Sequence, residues 1–351
     1  MVAQPAMRTR MVLVNVGTPE APTAHAVRHY LREFLSDPRV LSMPALARWL
    51  LLNLVILPRR PAHSAALYRK IWTQHGSPLL LHTEALAAAL RTRLPDTEVR
   101  IGMRYGEPSL AAALEHAPAR VVLVPLFPQY ASATTGSALE HAYGLLAQQP
   151  AVPALSVVPP FFDHAGFLDA CAAKILDTCR EGVDALLLSY HGVPVSQVQA
   201  TAAAGHRCGG EGDADCCAKL GEANASCYRA QCMATSRALE QRLRAGGMKV
   251  PVSTSFQSRL GRARWIGPAT TDTVAALARS GVKRLAVACP SFVADCLETL
   301  EEIGVQLREQ FLAAGGTSFT LVPCLNDDAA FADALASMVR RAGSTGGAER
   351  A

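Results

Sequence analysis

Apolar residues in this chain gather in short strand-like blocks rather than in strict alternation. Residues 11–16, 99–103, 121–126, 155–158, 185–190, 250–256, 285–289 and 319–322 each form one, with Pro, Gly or polar clusters at their ends. Blocks of that length, apolar on both faces, read as strands of parallel sheets covered on each side. Between them, residues 84–93, 165–179, 228–244 and 295–311 repeat apolar positions at helical spacing. Strands alternating with helices give an α/β fold built from doubly wound, Rossmann-like units.

The blocks repeat faintly. Val14-Asn15-Val16-Gly17-Thr18-Pro19 parallels Ser189-Tyr190-His191-Gly192-Val193-Pro194, and Val122-Leu123-Val124-Pro125 parallels Ala286-Val287-Ala288-Cys289-Pro290. The order is the same in each half, so two similar units are expected, residues 1–155 and 156–340, joined near 150–160. Residues 341–351, rich in Gly and Ser, read as a disordered tail.

Two segments carry candidate chemistry. Pro290 closes the block at 285–289, and the helix expected from Asp295 bears two stripes. Leu297, Leu300, Gly304, Leu307 and Phe311 face a core. Asp295, Glu298 and Glu302 stand at i, i+3 and i+7 and share an adjacent face, where they would bind a cation or accept protons. A solvated acidic first turn is the alternative. His191 stands just past the block at 185–190, with Gly192 and Pro194 marking the turn, at the strand end where open α/β sheets place ligands. A structural hydrogen bonder is the ordinary role for such a His; proton transfer or metal binding needs a carboxylate helix nearby.

Residues 49–58 form the longest apolar stretch, too short to span a bilayer. With Leu41, Met43, Leu46, Trp49, Leu50, Leu51, Leu54 and Ile56, the segment at 40–57 fits a buried core helix equally well. The charge of +5 on 351 residues gives no nucleic-acid footprint, and no long Lys/Arg run appears. The N-terminus lacks an apolar signal region, so a cytoplasmic location is expected. Ten cysteines then suggest metal or cluster ligation before disulfides. Five of them, Cys208, Cys216, Cys217, Cys227 and Cys232, fall within 25 residues among Gly, Asp and Ala. A zinc knot, a redox-active loop and an iron–sulfur site all fit that pattern. Cys171, Cys179, Cys296 and Cys324 read as packing residues.

Six motifs in order resemble the ferrochelatase family: Val14-Asn15-Val16-Gly17-Thr18-Pro19-Glu20; Gly102-Met103-Arg104-Tyr105; Pro128-Gln129-Tyr130 with Thr134-Thr135-Gly136-Ser137; Ser189-Tyr190-His191-Gly192; Phe256-Gln257-Ser258-Arg259; and Asp295-Cys296-Leu297-Glu298-Thr299-Leu300. The resemblance runs from about residue 11 to about 340. It implies two Rossmann-like domains with a cleft between them, and a lyase that inserts ferrous iron into protoporphyrin IX to form protohaem, the last step of haem synthesis. It carries over His191 and Glu298 as the catalytic pair, also able to ligate iron, and Asp295 and Glu302 as metal ligands along the outer path. Whether His191 takes pyrrole protons or binds iron stays open. It implies porphyrin contacts from Val16, Arg59, Arg60, Arg104, Tyr105, Ser258 and Phe292. It also makes residues 40–60 a lip that grips the ring and touches the membrane surface. Cys227-Tyr228-Arg229-Ala230-Gln231-Cys232 resembles a bacterial subgroup whose insert, here about 205–232, holds a 2Fe–2S cluster. Cys208, Cys227 and Cys232 would then be ligands, with Cys216 or Cys217 as the fourth. Two rivals stand beside this reading: a coproporphyrin or cobalt chelatase, and a non-enzymatic iron or haem sensor on the same scaffold.

Overall fold

In the computed structural model, which describes residues 9–202, 216–259, 261 and 263–344, the apolar blocks form two separate four-stranded sheets. The first contains β1 (Thr9–Gly17), β2 (Thr97–Tyr105), β3 (Arg120–Pro125) and β4 (Ala154–Val157), in the order β2-β1-β3-β4. The second contains β5 (Ala185–His191), β6 (Val252–Gln257), β7 (Arg284–Ala288) and β8 (Ser318–Leu321), in the order β6-β5-β7-β8. Every pairing is parallel; Leu13 stands opposite Ile101 and Val124, and Leu187 opposite Ser253 and Val287. The two orders are equivalent, so each half of the chain repeats one winding.

The central strands β1 and β5 carry the longest continuous apolar stretches, because both faces of a central parallel strand are covered. Met11, Val12, Leu13 and Val14 are buried in succession in β1, and Ala185, Leu186, Leu187 and Leu188 in β5. In the second unit Leu187, Leu285 and Val287 pack against Val274, Ile303, Leu307 and Phe311, so Leu307 and Phe311 of the expected stripe reach the core, while Leu297, Leu300 and Gly304 are only half-buried.

The chain divides into a first unit, residues 1–126, 132–160 and 327–351, and a second, residues 127–131 and 161–326. This differs from a single crossing near 155. Helix Ala329–Ser344 belongs to the first unit, because its face of Phe331, Leu335, Met338 and Val339 is buried there. Arg93 Nε donates to Asp333 at 2.6 Å, and Arg340 Nη2 to the Arg93 carbonyl at 2.8 Å. Residues 341–344, expected in a disordered tail, therefore complete a packed helix.

Two other expectations change. The segment at 40–57 is not a buried core helix. Helix Ala45–Leu50 runs into a π-helix, Leu51–Ile56, and then into helix Leu57–Ile71. Leu52 and Leu57 turn inward against Leu35, while Trp49 is 58% and Leu54 62% exposed. The helix expected from Asp295 starts later, with a single turn at Leu297 that widens into a π-helix over Glu298–Leu307 and returns to α geometry at Arg308–Ala313. Among the described residues, no helix is long and apolar enough to cross a membrane.

Gly17 ends β1 at φ +110°, and a Cβ there would lie 1.8 Å from the Tyr105 carbonyl oxygen. Only glycine fits both the angle and the approach of the neighbouring strand. Gly17→Ala should destabilise the first unit by at least about 2 kcal/mol. Urea unfolding followed by far-UV circular dichroism measures this, and an unchanged midpoint would contradict it.

Candidate active site

The second unit gathers His191, Glu298 and Glu302 around the ends of β5 and β6. His191 is the last residue of β5 and is half-buried. Its backbone N–H donates to Ser291 Oγ at 3.1 Å, and its carbonyl accepts from the Tyr228 hydroxyl at 2.8 Å. Its ring Nδ1 lies 2.6 Å from the Gly192 carbonyl. A carbonyl only accepts, so in the neutral ring Nδ1 carries the proton and Nε2 keeps a free lone pair. Phe292 meets the imidazole edge-on at 6.2 Å between ring centroids.

Gln257, at the end of β6, joins this histidine to the carboxylate helix. Its Oε1 accepts from Ser189 Oγ at 2.8 Å, and its Nε2 donates to the Glu298 carbonyl at 3.0 Å. Its own carbonyl accepts from Gly192 N at 2.7 Å. A Cβ on Gly192 would stand 2.7 Å from that oxygen, so the close approach needs glycine.

Ser258 follows at φ +65°, a backbone region where non-glycine residues are uncommon. There its N–H and hydroxyl both point at one carboxylate: N to Glu302 Oε1 is 2.8 Å, and Oγ to Oε2 is 2.5 Å. Burial pushes the Glu302 carboxyl above its ordinary range and Glu298 adds to this, while Ser258 and His191 oppose it. The wide π-helical turn, with its i→i+5 hydrogen bonds, brings residues four to five apart into line, so Glu298 and Glu302 share a face. A carboxyl raised in this way holds a proton more readily than a surface glutamate does.

Asp295 does not share that face. It precedes the helix and is buried, with Oδ1 accepting from Thr299 Oγ1 at 3.0 Å and Oδ2 from Asn326 Nδ2 at 2.9 Å. The i, i+3, i+7 rule assumed α geometry from Asp295 onward, and the late π-helical start breaks it. Glu301, which the stripe did not include, is buried and accepts from Gln306. Gln257, Ser291 and Tyr228 also went unassigned in the sequence; Gln257 and Tyr228 lie in the quoted motifs, which was the available signal. Among the described residues, no three His, Cys, Asp or Glu side chains are grouped so as to hold a metal ion.

Four of the five clustered cysteines are described; Cys208 lies outside the described residues. Cys217, Cys227 and Cys232 are buried and Cys216 is half-buried. Cys217 is hydrogen-bonded to Cys227 and Cys216 and faces Arg229. The Cys227 bond first, and then the guanidinium, bring its thiol down to about 6 against the opposing effect of burial. Cys227 stands at the N-terminal boundary of helix Tyr228–Ala245, without a side-chain capping bond. Cys232 sits beside the Tyr228 hydroxyl, its thiol held well above the usual range by burial.

In the first unit, Arg104 and Tyr105 hold a buried carboxylate. Arg104 Nη2 pairs with Asp37 Oδ2 at 2.7 Å. The same oxygen accepts from Tyr105 Oη at 2.9 Å and Ser137 Oγ at 2.6 Å. Tyr105 is fully buried among these partners. A cavity of about 370 Å³ beside this clamp is lined by Glu33, Arg104, Glu107 and His141, among others. Val16 is half-buried, and Arg59 and Arg60 are exposed.

A family model described as Ferrochelatase matches residues 8–343. A protein named Ferrochelatase from Legionella pneumophila (strain Lens) is 41% identical over 339 residues, covering 95% of this chain and 99% of that one. Another, from Azotobacter vinelandii (strain DJ / ATCC BAA-1303), is 44% identical over 338 residues, covering 95% and 98%. Among solved structures, "SirB from Bacillus subtilis with Fe3+" superposes with a TM-score of 0.54 at 11% identity, covering 97% of this chain and 98% of that one. That last likeness is one of fold.

The Asp37 carboxyl is held below its ordinary value of 3.8: burial raises it, but the bonds from Ser137, the Arg39 backbone and Tyr105, together with the Arg104 charge, prevail. A lowered folded pKa gives stability that is full above 3.8 and is lost as the pH falls through that value toward the lower folded one. Asp37→Asn should cost about 2–3 kcal/mol at pH 7 and flatten the acid dependence. Urea unfolding from pH 3 to 7 tests both, and an unchanged acid slope would contradict the clamp.

Proposed function

The chain belongs to the ferrochelatase family and inserts iron into a porphyrin, and we propose that His191 and Glu298 carry the reaction, on protoporphyrin IX and ferrous iron. The observation that supports this most is the histidine's geometry: Nδ1 is tied to the Gly192 carbonyl, so Nε2 presents a lone pair beside Phe292. Metallation requires two pyrrole protons to leave and a ferrous ion to shed water and enter. An imidazole lone pair accepts a proton from a pyrrole N–H or briefly ligates iron, and both roles suit a borderline metal. Glu298 and Glu302 then form an oxygen-rich face for the approaching ion and for the departing protons, with Ser258 fixing the second carboxylate. Asp295 stays inside as a clamp.

Phe292 and Ser258 lie in the same unit as His191 and are assigned to the ring. By the resemblance, Val16, Arg59 and Arg60 are also porphyrin contacts, the two arginines suiting propionates or lipid phosphates. Trp49, Leu50, Leu54 and Val55 expose an apolar surface suited to the porphyrin plate or to a membrane surface, which supports the reading of a cytoplasmic enzyme with peripheral membrane contact.

The cysteine segment is assigned a 2Fe–2S cluster. The donor set suits it: Cys217 and Cys227 share a hydrogen bond, Arg229 favours thiolate, and Cys232 stands on the same helix. Cys208, Cys227 and Cys232 would hold the group with Cys217, whose thiol is the readier ligand, or Cys216. When bound, it would supply structural cohesion, or a response to oxidants, to a segment with few apolar residues.

His191→Ala and Glu298→Gln should each lower kcat at least roughly a hundredfold with folding intact; near-normal turnover in His191→Ala would remove the assignment. A porphyrin-by-metal activity matrix on purified enzyme separates protoporphyrin from coproporphyrin, and iron from cobalt.

Purified protein should be reddish-brown with about two irons and two sulfides per chain, and Cys227→Ser should bleach it. Colourless protein carrying stoichiometric zinc after anaerobic preparation would overturn the cluster.

A further inference from the structure

The cavity of about 370 Å³ beside the Asp37 clamp takes no part in the steps assigned to His191 and Glu298. All of its lining residues belong to the first unit. It lies at the carboxyl end of β2, where Met103, Arg104 and Tyr105 finish the strand. Open α/β sheets receive ligands at that end of their strands. The volume falls at the low end of the roughly 300–1,000 Å³ range of small-molecule pockets.

The inner part of the cavity carries polar groups that the protein does not use up. Arg104 gives Nε to Ser137 and Nη2 to Asp37, while Nη1 makes no hydrogen bond among the described residues. His141 is half-buried, and neither ring nitrogen is bonded among the described residues. Burial first, and then the Arg104 charge, hold this imidazole below its ordinary value of 6.5 against the pull of Asp37. At neutral pH the ring is therefore uncharged and offers one N–H and one lone pair.

Two exposed carboxylates, Glu33 and Glu107, stand at the rim. Each is pinned by one oxygen: Glu33 Oε2 accepts from Gly106 N at 2.8 Å, and Glu107 Oε2 from Ser109 N at 2.7 Å. Gly106 stands at φ +78°, where a Cβ would lie 2.9 Å from the Thr18 carbonyl oxygen, so only glycine lets the loop aim its N–H at Glu33. Glu33 Oε1 lies 3.5 Å from His29 Nδ1. Asp37 already balances Arg104, so the two glutamates leave the cavity with surplus negative charge. A simple anion is disfavoured there. A ligand that suits both levels brings an ammonium to the rim and an acceptor oxygen to the N–H groups of Arg104 and His141.

We propose that this cavity is a second ligand site, which binds a small amine carrying an oxygen acceptor at its other end, of the amino-acid or amino-alcohol class. The plainer role, a solvent-filled crevice at a strand end, would show no preference among small solutes.

The test titrates the full-length purified enzyme calorimetrically with four probes of equal carbon count: aminovalerate, aminopentanol, pentylamine and valerate. Aminovalerate or aminopentanol should bind with a Kd below about 1 mM. The tighter of the two tells whether the acceptor is a carboxylate or a hydroxyl. Pentylamine and valerate, each lacking one group, should bind at least about tenfold more weakly. Glu107→Gln and Glu33→Gln should each weaken the preferred probe about fivefold or more, with kcat and the KM for iron and for porphyrin unchanged. The His141 ring is followed by NMR of 13Cε1-labelled histidine, its signal assigned by its loss in His141→Ala, and should move on saturation with the preferred probe. No binding of either two-headed probe up to about 10 mM, pentylamine or valerate binding as tightly as the preferred probe, or an unmoved His141 signal would each overturn the proposal. So would a raised KM for porphyrin in both rim variants, which would make the cavity part of the substrate site. Should one rim variant misfold by circular dichroism, the other must show the loss of probe binding by itself.

Discussion

Gln257 is buried, and both ends of its amide are committed: the oxygen to Ser189 in β5, the nitrogen to the carbonyl of Glu298. Its main-chain carbonyl holds Gly192. A buried polar group left without a partner costs about 1–3 kcal/mol, so none of these bonds is released cheaply. Through them the strand end bearing His191 and the helix bearing Glu298 are held to one residue. Ser258, next in the chain, takes the strained angle that lets two donors meet Glu302. The relative placement of imidazole and carboxylates therefore depends on a Gln-Ser pair at the end of β6.

The two sheets share one winding but not one chemistry. Where β5 ends in His191 and Gly192, β1 ends in Val16 and Gly17. The second ending exposes an imidazole nitrogen; the first seats a glycine against Tyr105. Beside it, Arg104, Tyr105 and Ser137 converge on Asp37, a buried charge satisfied wholly within its own unit. The repeated fold supplies strand ends, and the side chains placed there decide what each end does.

Much of this was legible because parallel sheets bury both faces, so their strands appear as apolar blocks. His191 was legible from its place after such a block, and Glu298 and Glu302 from their spacing. Asp295 was misplaced because an α-helical period was carried through residues that are not yet helical. The hold of Arg104 and Tyr105 on Asp37 was not legible, because a motif records that residues occur together, not which way they face. Gln257, Ser291 and Tyr228 act through partners distant in sequence, and no local pattern marks a hydrogen bond that only the fold creates. The exposed face of residues 46–55 read equally well as core, since apolar spacing does not reveal whether anything covers it.

Helix Ala329–Ser344 packs into a unit whose strands were laid down near the start of the chain. During synthesis the second unit's residues all leave the ribosome before that helix does. The earlier-made sheet therefore waits through the whole synthesis of the second unit with the ground for Phe331 and Leu335 uncovered. A nascent chain of this kind is exposed to aggregation through its oldest part rather than its newest.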